Sequence, residues 1–434
     1  MQTLSAKYQT SDPLLGYQDK ELGYQITYNG SDGDWDVLWS HEYPFMKNFL
    51  PHLRPYQRVN KFPGSGFITN KVNLATSQLK HIPQAFNLPS EKEQFLKHAK
   101  ENPTKLWVQK DSNHRGIRVL DLDALNLEAS GTFVQEYIQK PFLIDGKKFD
   151  IGLYVTMTSI NPLRVYILDH EALLRFCARL YYPFNSTDLN SYVVGDDYTP
   201  TWMMPSLRKY FIDLNLNMKE TFNAYLRSLG KDPNFVWKQI EDSIKTVYYA
   251  KEEQMLKLTD NFETTRHFFE MVRFDFALDE DLNVYLMEAN MSPNLSSAHF
   301  APNKLIYEQV IFNLLSLVGV ARTLNTRTWP DMSPEYYNMM VTTKEMSVNE
   351  ELCAGAECHL SCKSSVCDVC YHCLKDEQKL VLKDAVLEQK SKWNAKRLIP
   401  STSDVDSDLM TSDTNKHHLK WFRGKCQQNK EWCN

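Results

Sequence analysis

The stretch MVRFDFALDEDLNVYLMEANMSPNL, Met271 to Leu295, decides the fold. Apolar and polar residues alternate on both sides of the acidic segment 279–281, which is the pattern of a β-hairpin with one buried face. The hairpin brings three oxygen donors together: Asp275 on its first strand, Glu288 on its second, and Asn290 on the same face as Glu288. Such hard oxygen ligands suit Mg²⁺. The alternative is that the two carboxylates are solvated charges at the ends of strands.

The composition of the whole chain is that of an ordinary globular protein. Of its 434 residues, 42% are hydrophobic and 24% are charged. The formal net charge of −5 argues against a protein that coats nucleic acid. The best candidate for a membrane span, Val310 to Ala321, is too short and carries Asn313 and Ser316. We therefore predict a soluble, cytosolic chain with no membrane span and no nucleic-acid partner.

Cysteine is concentrated near the end of the chain. Cys177 stands alone, and the other eight follow much later: Cys353, Cys358, Cys362, Cys367, Cys370, Cys373, Cys426 and Cys433. An even and localised set predicts a small module held by disulfides or by zinc. The spacing from Cys367 to Cys373, with His359 and His372 nearby, is of a zinc type. Zinc is favoured in a cytosolic chain, and disulfides are favoured in the lumen of the secretory pathway.

A first candidate for phosphate binding follows a short strand. LWVQK, Leu106 to Lys110, leads into a polar loop that contains Arg115 and Gly116. An ammonium group and the amides of such a loop can share an anion. Taken alone, the pattern is more often explained by a surface lysine beside a turn.

The segment from Phe133 to Met157 holds further candidates. Its first strand runs into an extended linker, as in a hinge whose backbone pairs with an adenine edge. After the turn 145–146, Lys148 and Asp150 alternate with apolar residues and so face one side of a strand. Arg175 lies on a later strand of the same sheet, where it can bind a phosphate bidentately. The alternative for these three charged residues is an ordinary cross-strand salt bridge.

Three helices have clear patterns. One is predicted from Glu91 to about Lys100, with Ser90 as its cap, and one from about Pro233 to Lys257. A core helix is predicted from about Asn303 to Leu324, with buried positions at Leu305, Ile306, Val310, Leu314 and Leu317. We expect the Ser/Asp-rich link 401–413 to be disordered and the basic, aromatic end to be a solvated tail.

Several motifs occur in a characteristic order: WVQK, FVQEYI, DGKKFDI, PLRVYI, LLRF and FDFALDEDLNVYLMEANMSPNL. The series resembles the tubulin-tyrosine ligase-like family, and most of all its polyglutamylase members, over residues 34–322. The resemblance implies an α+β protein with an ATP-grasp fold, in which mixed and antiparallel sheets are flanked by helices. A small Cys-rich C-terminal module would follow the catalytic core.

The resemblance also implies a domain organisation. A loose lead-in, 1–33, precedes an N-terminal α/β region, 34–105. The ATP-grasp core covers 106–325, with an insertion at about 185–235, and the Cys-rich, charged extension covers 340–434.

The activity implied by the resemblance is an ATP-dependent ligase that joins glutamate to a carboxylate on a tubulin tail through an acyl-phosphate. ATP and Mg²⁺ would be its cofactors, tubulin or microtubules and free glutamate its partners, and the cytoplasmic cytoskeleton its location. The protein would be a monomer. The alternative location is the secretory lumen, and the alternative function is a catalytically impaired pseudoenzyme that serves as a nucleotide-binding or interaction module.

Site residues follow from matching positions in the family's motifs. Lys148 and Arg175 would be catalytic, with Arg175 on the γ-phosphate. The nucleotide would be bound by Lys110, Arg115, Gly116, Gln135, Glu136, Tyr137, Ile138, Lys148 and Asp150. The metal ligands would be Asp275, Glu288 and Asn290.

Two departures from the family pattern weaken the expectation of activity. The family usually has an arginine two residues after the aspartate of its KFD motif, whereas this chain has Gly152. A lost charged hydrogen bond of this kind is worth about 1.5–3 kcal/mol, which is enough to cripple a rate. In addition, Asp111 follows Lys110 where the family prefers proline. Arg115 or Arg118 is a candidate replacement for the missing cation.

Overall fold

A computed structural model of the chain describes residues 6–9, 24–27, 35–45, 50–54, 56–111, 117–321, 339–402, 410 and 412–433. In these ranges the strands are β1 (Ala6–Gln9), β2 (Tyr24–Thr27), β3 (Val37–Leu38), β4 (Arg58–Val59), β5 (Ala85–Leu88), β6 (Trp107–Asp111), β7 (Arg118–Leu120), β8 (Thr132–Glu136), β9 (Phe149–Ile160), β10 (Leu163–Leu168), β11 (Leu173–Phe176), β12 (Thr199–Pro200), β13 (Glu270–Leu278), β14 (Val284–Asn290) and β15 (Ala395–Ile399). The α-helices are α1 (Gly66–Thr69), α2 (Lys71–Ala75), α3 (Lys92–Glu101), α4 (Pro205–Arg208), α5 (Met218–Ser228), α6 (Pro233–Leu256), α7 (Lys304–Leu317), α8 (Thr343–Met346), α9 (Glu350–Ala354), α10 (Ala356–Leu360), α11 (Asp376–Ser391) and α12 (Asp413–Gln428).

A seven-stranded antiparallel sheet is built around β9. On one side β9 pairs with β13, and on the other it pairs with β11 and then with β10. Most residues of β9 and every residue of β13 are buried, because helices and loops cover both faces of this sheet. In β9 the apolar run 151–155 is the sequence signature of that burial, whereas β13 also buries the charged residues Glu270, Arg273 and Asp275.

The predicted hairpin is confirmed, but the prediction of a single buried face is wrong for its first strand, since both faces of β13 are buried. β13 and β14 pair antiparallel, with Asp275 directly opposite Glu288. In the turn between them, the carboxylate of Asp279 accepts hydrogen bonds from the amides of Asp281 and Asn283, at 3.0 and 2.8 Å. This side-chain cap is what an Asp-rich turn provides. The turn at Asp145 and Gly146 is confirmed as well, since both residues have positive φ, 49° and 73°.

A second, four-stranded antiparallel sheet has the order β5-β8-β6-β7. Helix α3 packs on it through Phe95, which contacts Phe86 and Trp107 edge-on or tilted. The helix is where the sequence predicts it, but the cap is not. Ser90 donates to the carbonyl of Asn87 instead, and the first residue before the helix is Glu91.

A third sheet is parallel, in the order β2-β1-β3-β4. Its strands β1 and β2 lie within residues 1–33, for which we expected a loose lead-in, so that expectation does not hold for these strands. Trp35 and Trp39 flank β3 and are buried in the main core.

The two long helices of the core are confirmed. Helix α6 begins at Pro233, as predicted, with the side chain of Asp232 capping the amide of Asn234. Helix α7 ends at Leu317 and buries Ile306, but the prediction for Leu305 is wrong, because that side chain is 63% exposed. None of the helices in the described ranges combines the length and apolar character needed to cross a membrane.

The Cys-rich segment is held by disulfides. The pairs are Cys353–Cys370, Cys358–Cys367, Cys362–Cys373 and, at the end of the chain, Cys426–Cys433. Cys362, His372 and Cys373 bring their potential ligand atoms within 4.8 Å of one another, and this group shares only His372 and Cys373 with the predicted zinc spacing. Zinc needs thiolates, however, and these two cysteines are bonded to each other. Of the two predicted alternatives, zinc and disulfides, the structure contains the disulfides.

The rest of the C-terminal region is part of the main fold. Strand β15 pairs antiparallel with β10. Glu388 of α11 accepts hydrogen bonds from Arg164, at 2.9 and 3.0 Å, and from the hydroxyl of Tyr166 at 2.8 Å. In α12 Trp421 is fully buried, so the expectation of a solvated tail is wrong. Most of the Ser/Asp-rich link, 403–409 and 411, lies outside the described residues.

Candidate active site

A cavity lies between the seven-stranded sheet and the sheet of β6 and β8. Nine of the predicted site residues line it: Lys110, Glu136, Tyr137, Ile138, Lys148, Asp150, Arg175, Asp275 and Glu288. They come from both sheets, which explains why residues so far apart in sequence share one space.

Some predicted residues are placed elsewhere. Gln135 is fully buried behind the cavity, where its side chain accepts a hydrogen bond from Lys110 at 2.8 Å and donates to the carbonyl of Pro83 at 3.2 Å. It therefore orients Lys110. Arg115 and Gly116 lie outside the described residues, and Arg118 is exposed on β7 and is not among the residues that line the cavity.

Two lysines of the cavity are half-buried. Burial lowers the pKa of Lys110 to about 8, although the carboxylate of Glu288 opposes that shift. Burial also lowers the pKa of Lys148, whose ammonium group donates to the carbonyl of Tyr192 at 2.9 Å and lies 5.3 Å from the ring centre of Tyr137. Cations in the wall of a cavity lose part of their hydration, so an anion bound there would replace much of the electrostatic stabilisation that water provided.

Arg175 links two carboxylates. It lies opposite Asp150 in the ladder of β9 and β11, and the two side chains form a bidentate ion pair with distances of 2.9 and 2.7 Å. The same guanidinium reaches Asp275 at 3.1 Å. The cross-strand salt bridge considered above is thus present, and it lies in the wall of the cavity. Burial raises the pKa of Asp150, although Arg175 opposes that shift.

The hairpin residues converge as predicted. The amide nitrogen of Asn290 lies 2.9 Å from a carboxylate oxygen of Asp275 and 3.1 Å from one of Glu288. Asp275 also forms a bidentate pair with Arg273, at 2.7 and 2.8 Å. Burial raises the pKa of Glu288, but Lys71, 2.9 Å away, and Asn290 outweigh it and lower that pKa to about 2.

Lys71 is a site residue that the motif analysis missed. It begins α2, whose preceding residue, Asn70, caps the amides of Val72 and Asn73. The segment around it reaches the hairpin a second time, because the ammonium of Lys61 donates to the carbonyl of Met291 at 3.0 Å. The asparagine cap was the available signal for this short helix.

The insertion contributes residues that sequence patterns did not single out. Tyr192, Val193 and Val194 line the cavity, and the carbonyl of Tyr192 accepts the hydrogen bond from Lys148. No sequence motif indicates these three residues, because their position at the cavity depends on how an irregular segment folds over the sheet.

The donor set of the hairpin fits Mg²⁺. Two carboxylates and one amide, all oxygen-bearing, meet within hydrogen-bonding distance of one another. The NH₂ group of Asn290 faces the carboxylates, so its amide has to rotate to offer oxygen to a metal. The two carboxylates are otherwise neutralised by Arg273, Arg175 and Lys71.

Comparison with known proteins agrees with this architecture. The chain is 39% identical over 95% of its length to a Caenorhabditis elegans protein described as "Probable tubulin polyglutamylase ttll-15", of which it covers 82%. It is 29% identical over 66% of its length to a Tetrahymena thermophila "Probable beta-tubulin polyglutamylase" and 28% identical over 68% to mouse "Tubulin polyglutamylase TTLL6". It spans only 26% and 38% of those two proteins.

The sequence profile of the tubulin-tyrosine ligase family matches residues 50–328, which is more than half of the chain. The matched range contains the four-stranded sheet, every strand of the seven-stranded sheet except β15, and the helix that carries Lys71. The resemblance inferred from the motifs is therefore confirmed, and the chain belongs to the tubulin-tyrosine ligase family.

Proposed function

We propose that the chain is an ATP-dependent ligase that attaches glutamate to a carboxylate on a tubulin tail. The relatives named above are described as tubulin polyglutamylases, which supports both the substrate and the amino acid. The observation that carries the proposal is the convergence, in one cavity, of Asp275 and Glu288 with Lys71, Lys110, Lys148 and Arg175, while Asn290 bonds to both carboxylates from the edge of the second cavity.

The nucleotide would lie between the two sheets. The amides of Glu136 and Tyr137 already donate to the carbonyls of Gln84 and Leu106, so we expect the backbone of Ile138, which follows and lines the cavity, to face the adenine edge. Lys110 and Lys148 would bind the phosphates. Arg115 and Gly116 are further candidates for phosphate binding from the family resemblance alone.

Arg175 is suited to the γ-phosphate. Its guanidinium is held in one orientation by Asp150 and reaches the hairpin at Asp275, so it is fixed before the substrate arrives. Preorganised charge of this kind stabilises a transferring phosphoryl group without reorganisation during the reaction. Asp150, neutralised by Arg175, would also contact the nucleotide.

A second cavity offers a place for the acceptor. It lies on the other side of the hairpin end, is lined by Asn290, Met291 and residues of α1 and α2, and shares Lys71 with the first cavity. A carboxylate bound there would meet the γ-phosphate close to Glu288 and Lys71.

The reaction would have two steps. An oxygen of the acceptor carboxylate attacks the γ-phosphorus, and ADP leaves. The amino nitrogen of the incoming glutamate then attacks the acyl carbon, phosphate leaves, and the amine loses a proton to solvent. Asp275, Glu288 and Asn290 would hold Mg²⁺, which neutralises phosphate charge when bound. Arg175, Lys110 and Lys148 would bind and orient the phosphates throughout.

The alternative of a pseudoenzyme rests on Gly152, since the family usually places an arginine there. The charged residues around the cavity give it no further support, because each of them is paired or oriented in a way that suits catalysis.

The decisive experiment is incubation of the protein with Mg-ATP, labelled glutamate and microtubules. Wild type should transfer label to tubulin, and Glu288→Gln should lose at least a hundredfold of that rate because it removes a proposed metal ligand while preserving shape. The matched control is Glu101→Gln, the same chemical change at an exposed position near the end of α3.

Two outcomes would contradict the proposal. Binding of Mg-ATP without any transfer would mean that the cavity serves a binding module. Transfer that survives Glu288→Gln unchanged would mean that the hairpin is not the metal site.

A further inference from the structure

We infer that Arg273 supplies from β13 the guanidinium that β9 lacks at Gly152, and that Gly152 is glycine because this guanidinium occupies its side-chain space. The inference rests on the proposed function for its catalytic meaning. It assigns Arg273 as a positioning residue of the candidate active site.

The register of the sheet puts the two residues on one face. Gly152 lies directly opposite Asp275 in the ladder of β9 and β13, and Asp275 lies opposite Glu288 on the other side. Arg273 is two residues before Asp275 in the same strand, so both side chains point to the same face. The side chain of Arg273 therefore runs along β13 beside the backbone of Gly152.

The space at position 152 is already filled. A Cβ atom built on Gly152 would lie 3.1 Å from Cδ of Arg273, 3.1 Å from a carboxylate oxygen of Asp275 and 3.5 Å from Nε of Arg273. Gly152 is in the middle of a strand and is not among the residues with positive φ, so its backbone does not require glycine. Close approach of the arginine is the physical reason for the missing side chain.

Arg273 makes the contact expected of an active-site cation. Its guanidinium donates to both oxygens of Asp275, at 2.7 and 2.8 Å, and its side chain is 9% exposed. Arg175 approaches the same carboxylate from the opposite side of the site at 3.1 Å. Bidentate pairing fixes the plane of a carboxylate as well as its position. Arg273 thus orients a proposed metal ligand and keeps a fixed positive charge behind it.

The two replacements suggested by sequence are weaker candidates. Arg118 is exposed on β7, and Arg115 lies outside the described residues. Arg273 is the candidate whose guanidinium demonstrably lies against Gly152.

A cycle of four proteins tests the inference: wild type, Gly152→Arg, Arg273→Gly, and the double variant that moves the arginine from β13 to β9. The readouts are the thermal unfolding midpoint of the free protein, the affinity for Mg-ATP and the rate of glutamate transfer. Each single substitution should lower the unfolding midpoint and weaken Mg-ATP binding by roughly tenfold or more. Gly152→Arg crowds two buried cations together, and Arg273→Gly leaves Asp275 without its main partner. The double variant should recover most of both losses.

A smaller substitution, tested in two backgrounds, keeps the inference testable if the arginine variants do not fold. Gly152→Ala adds a single carbon, and it should be harmful in the wild-type background but nearly neutral in the Arg273→Gly background, where the space is open. Equal harm in both backgrounds, or a double Arg/Gly exchange that is no better than the worse single variant, would overturn the inference.

The readouts separate this inference from the proposed function. One outcome is that the effects of the substitutions at positions 152 and 273 are non-additive in the unfolding midpoint and in Mg-ATP binding while the protein never transfers glutamate. That result would support the role of Arg273 and refute the proposed ligase activity. Robust transfer by wild type together with additive effects of the two changes would sustain the ligase and refute the exchange.

Discussion

Lys71 and Glu288 form an ion pair, with Nζ of the lysine 2.9 Å from a carboxylate oxygen of the glutamate. The pair joins the start of a short helix to the second strand of the hairpin, more than two hundred positions later in the chain. Lys71 also lines both cavities. The hairpin is therefore oriented by a segment that precedes, in the chain, both sheets that form the first cavity.

Replacing Lys71 by glutamine should raise the pKa of Glu288 from about 2 towards its ordinary value of 4.5. Because the folded-state pKa is depressed, the pair stabilises the fold above pH 4.5 and loses that contribution as the pH falls towards 2. NMR titration of the Glu288 carboxyl measures the shift directly. Lys257→Gln, which breaks an exposed pair with Glu253, is the control and should leave stability nearly unchanged. An unaltered pKa of Glu288 would contradict this assignment.

Nucleotide affinity should fall as the pH rises through about 8, where Lys110 loses its proton in the free protein. The sign follows from burial, which lowers the pKa of this lysine and so brings deprotonation of a phosphate-binding cation into an accessible range. Lys110→Arg should flatten this decline, because a guanidinium stays charged. Calorimetric titration with Mg-ATP between pH 7 and 9 checks this. Identical pH profiles in the two proteins would place Lys110 outside the phosphate site.

Trp421→Ala should destabilise the protein by about 3–5 kcal/mol, the usual cost of emptying a large aromatic site in a core. Trp421 is fully buried and donates its indole hydrogen to the carbonyl of Met346 at 2.7 Å. Trp393→Ala is the matched control, since that side chain is 67% exposed and should cost far less. Chemical denaturation gives both values. Equal effects would mean that α12 is not part of the folded core.

The eight C-terminal cysteines should be oxidised in the native protein. Alkylation under denaturing, non-reducing conditions should label Cys177 alone, and reduction beforehand should expose the other eight. Each of the three crosslinks in the Cys-rich segment closes a short loop, so reduction should lower the unfolding temperature, with each link worth about 2–4 kcal/mol. Eight reactive thiols in the native protein, or bound zinc, would contradict the disulfide assignment. Metal analysis of the same sample distinguishes the two.

Much of the fold could be predicted from local patterns. Alternation of apolar and polar residues located β13 and β14, and β10 runs from Leu163 to Leu168 as predicted. These strands could be predicted because burial of one or both faces of a strand determines the pattern of apolar and polar residues in its sequence. Helix α6 was equally clear, since Pro233 and its preceding aspartate mark its start.

The site could be predicted where family motifs carry it, and not where tertiary packing does. Asp275, Glu288 and Asn290 converge because a hairpin register brings them together, and register is readable from alternation. Lys71 reaches the cavity from a five-residue helix and Tyr192 from an irregular segment, and neither is long enough to leave a periodic signal. Gly152 looked like a lost cation, since the sequence does not reveal that Arg273 lies beside it.

The C-terminal region was the hardest to predict. Charge and polarity suggested a solvated tail, but Trp421 and Phe422 are buried, and Arg397 stacks on the ring of Phe422 with its guanidinium carbon 3.7 Å from the ring centre. The connectivity of the disulfides was also beyond prediction, because spacing alone allows many pairings of eight cysteines.

The pairing of β15 with β10 has a practical consequence for any shortened form of the protein. A fragment that stopped at residue 328, where the family match ends, would lack β15 and leave the hydrogen-bonding groups of β10 without their neighbour. Open sheet edges of this kind are templates for association with other chains. Such a fragment should aggregate even though it retains every residue of the proposed active site.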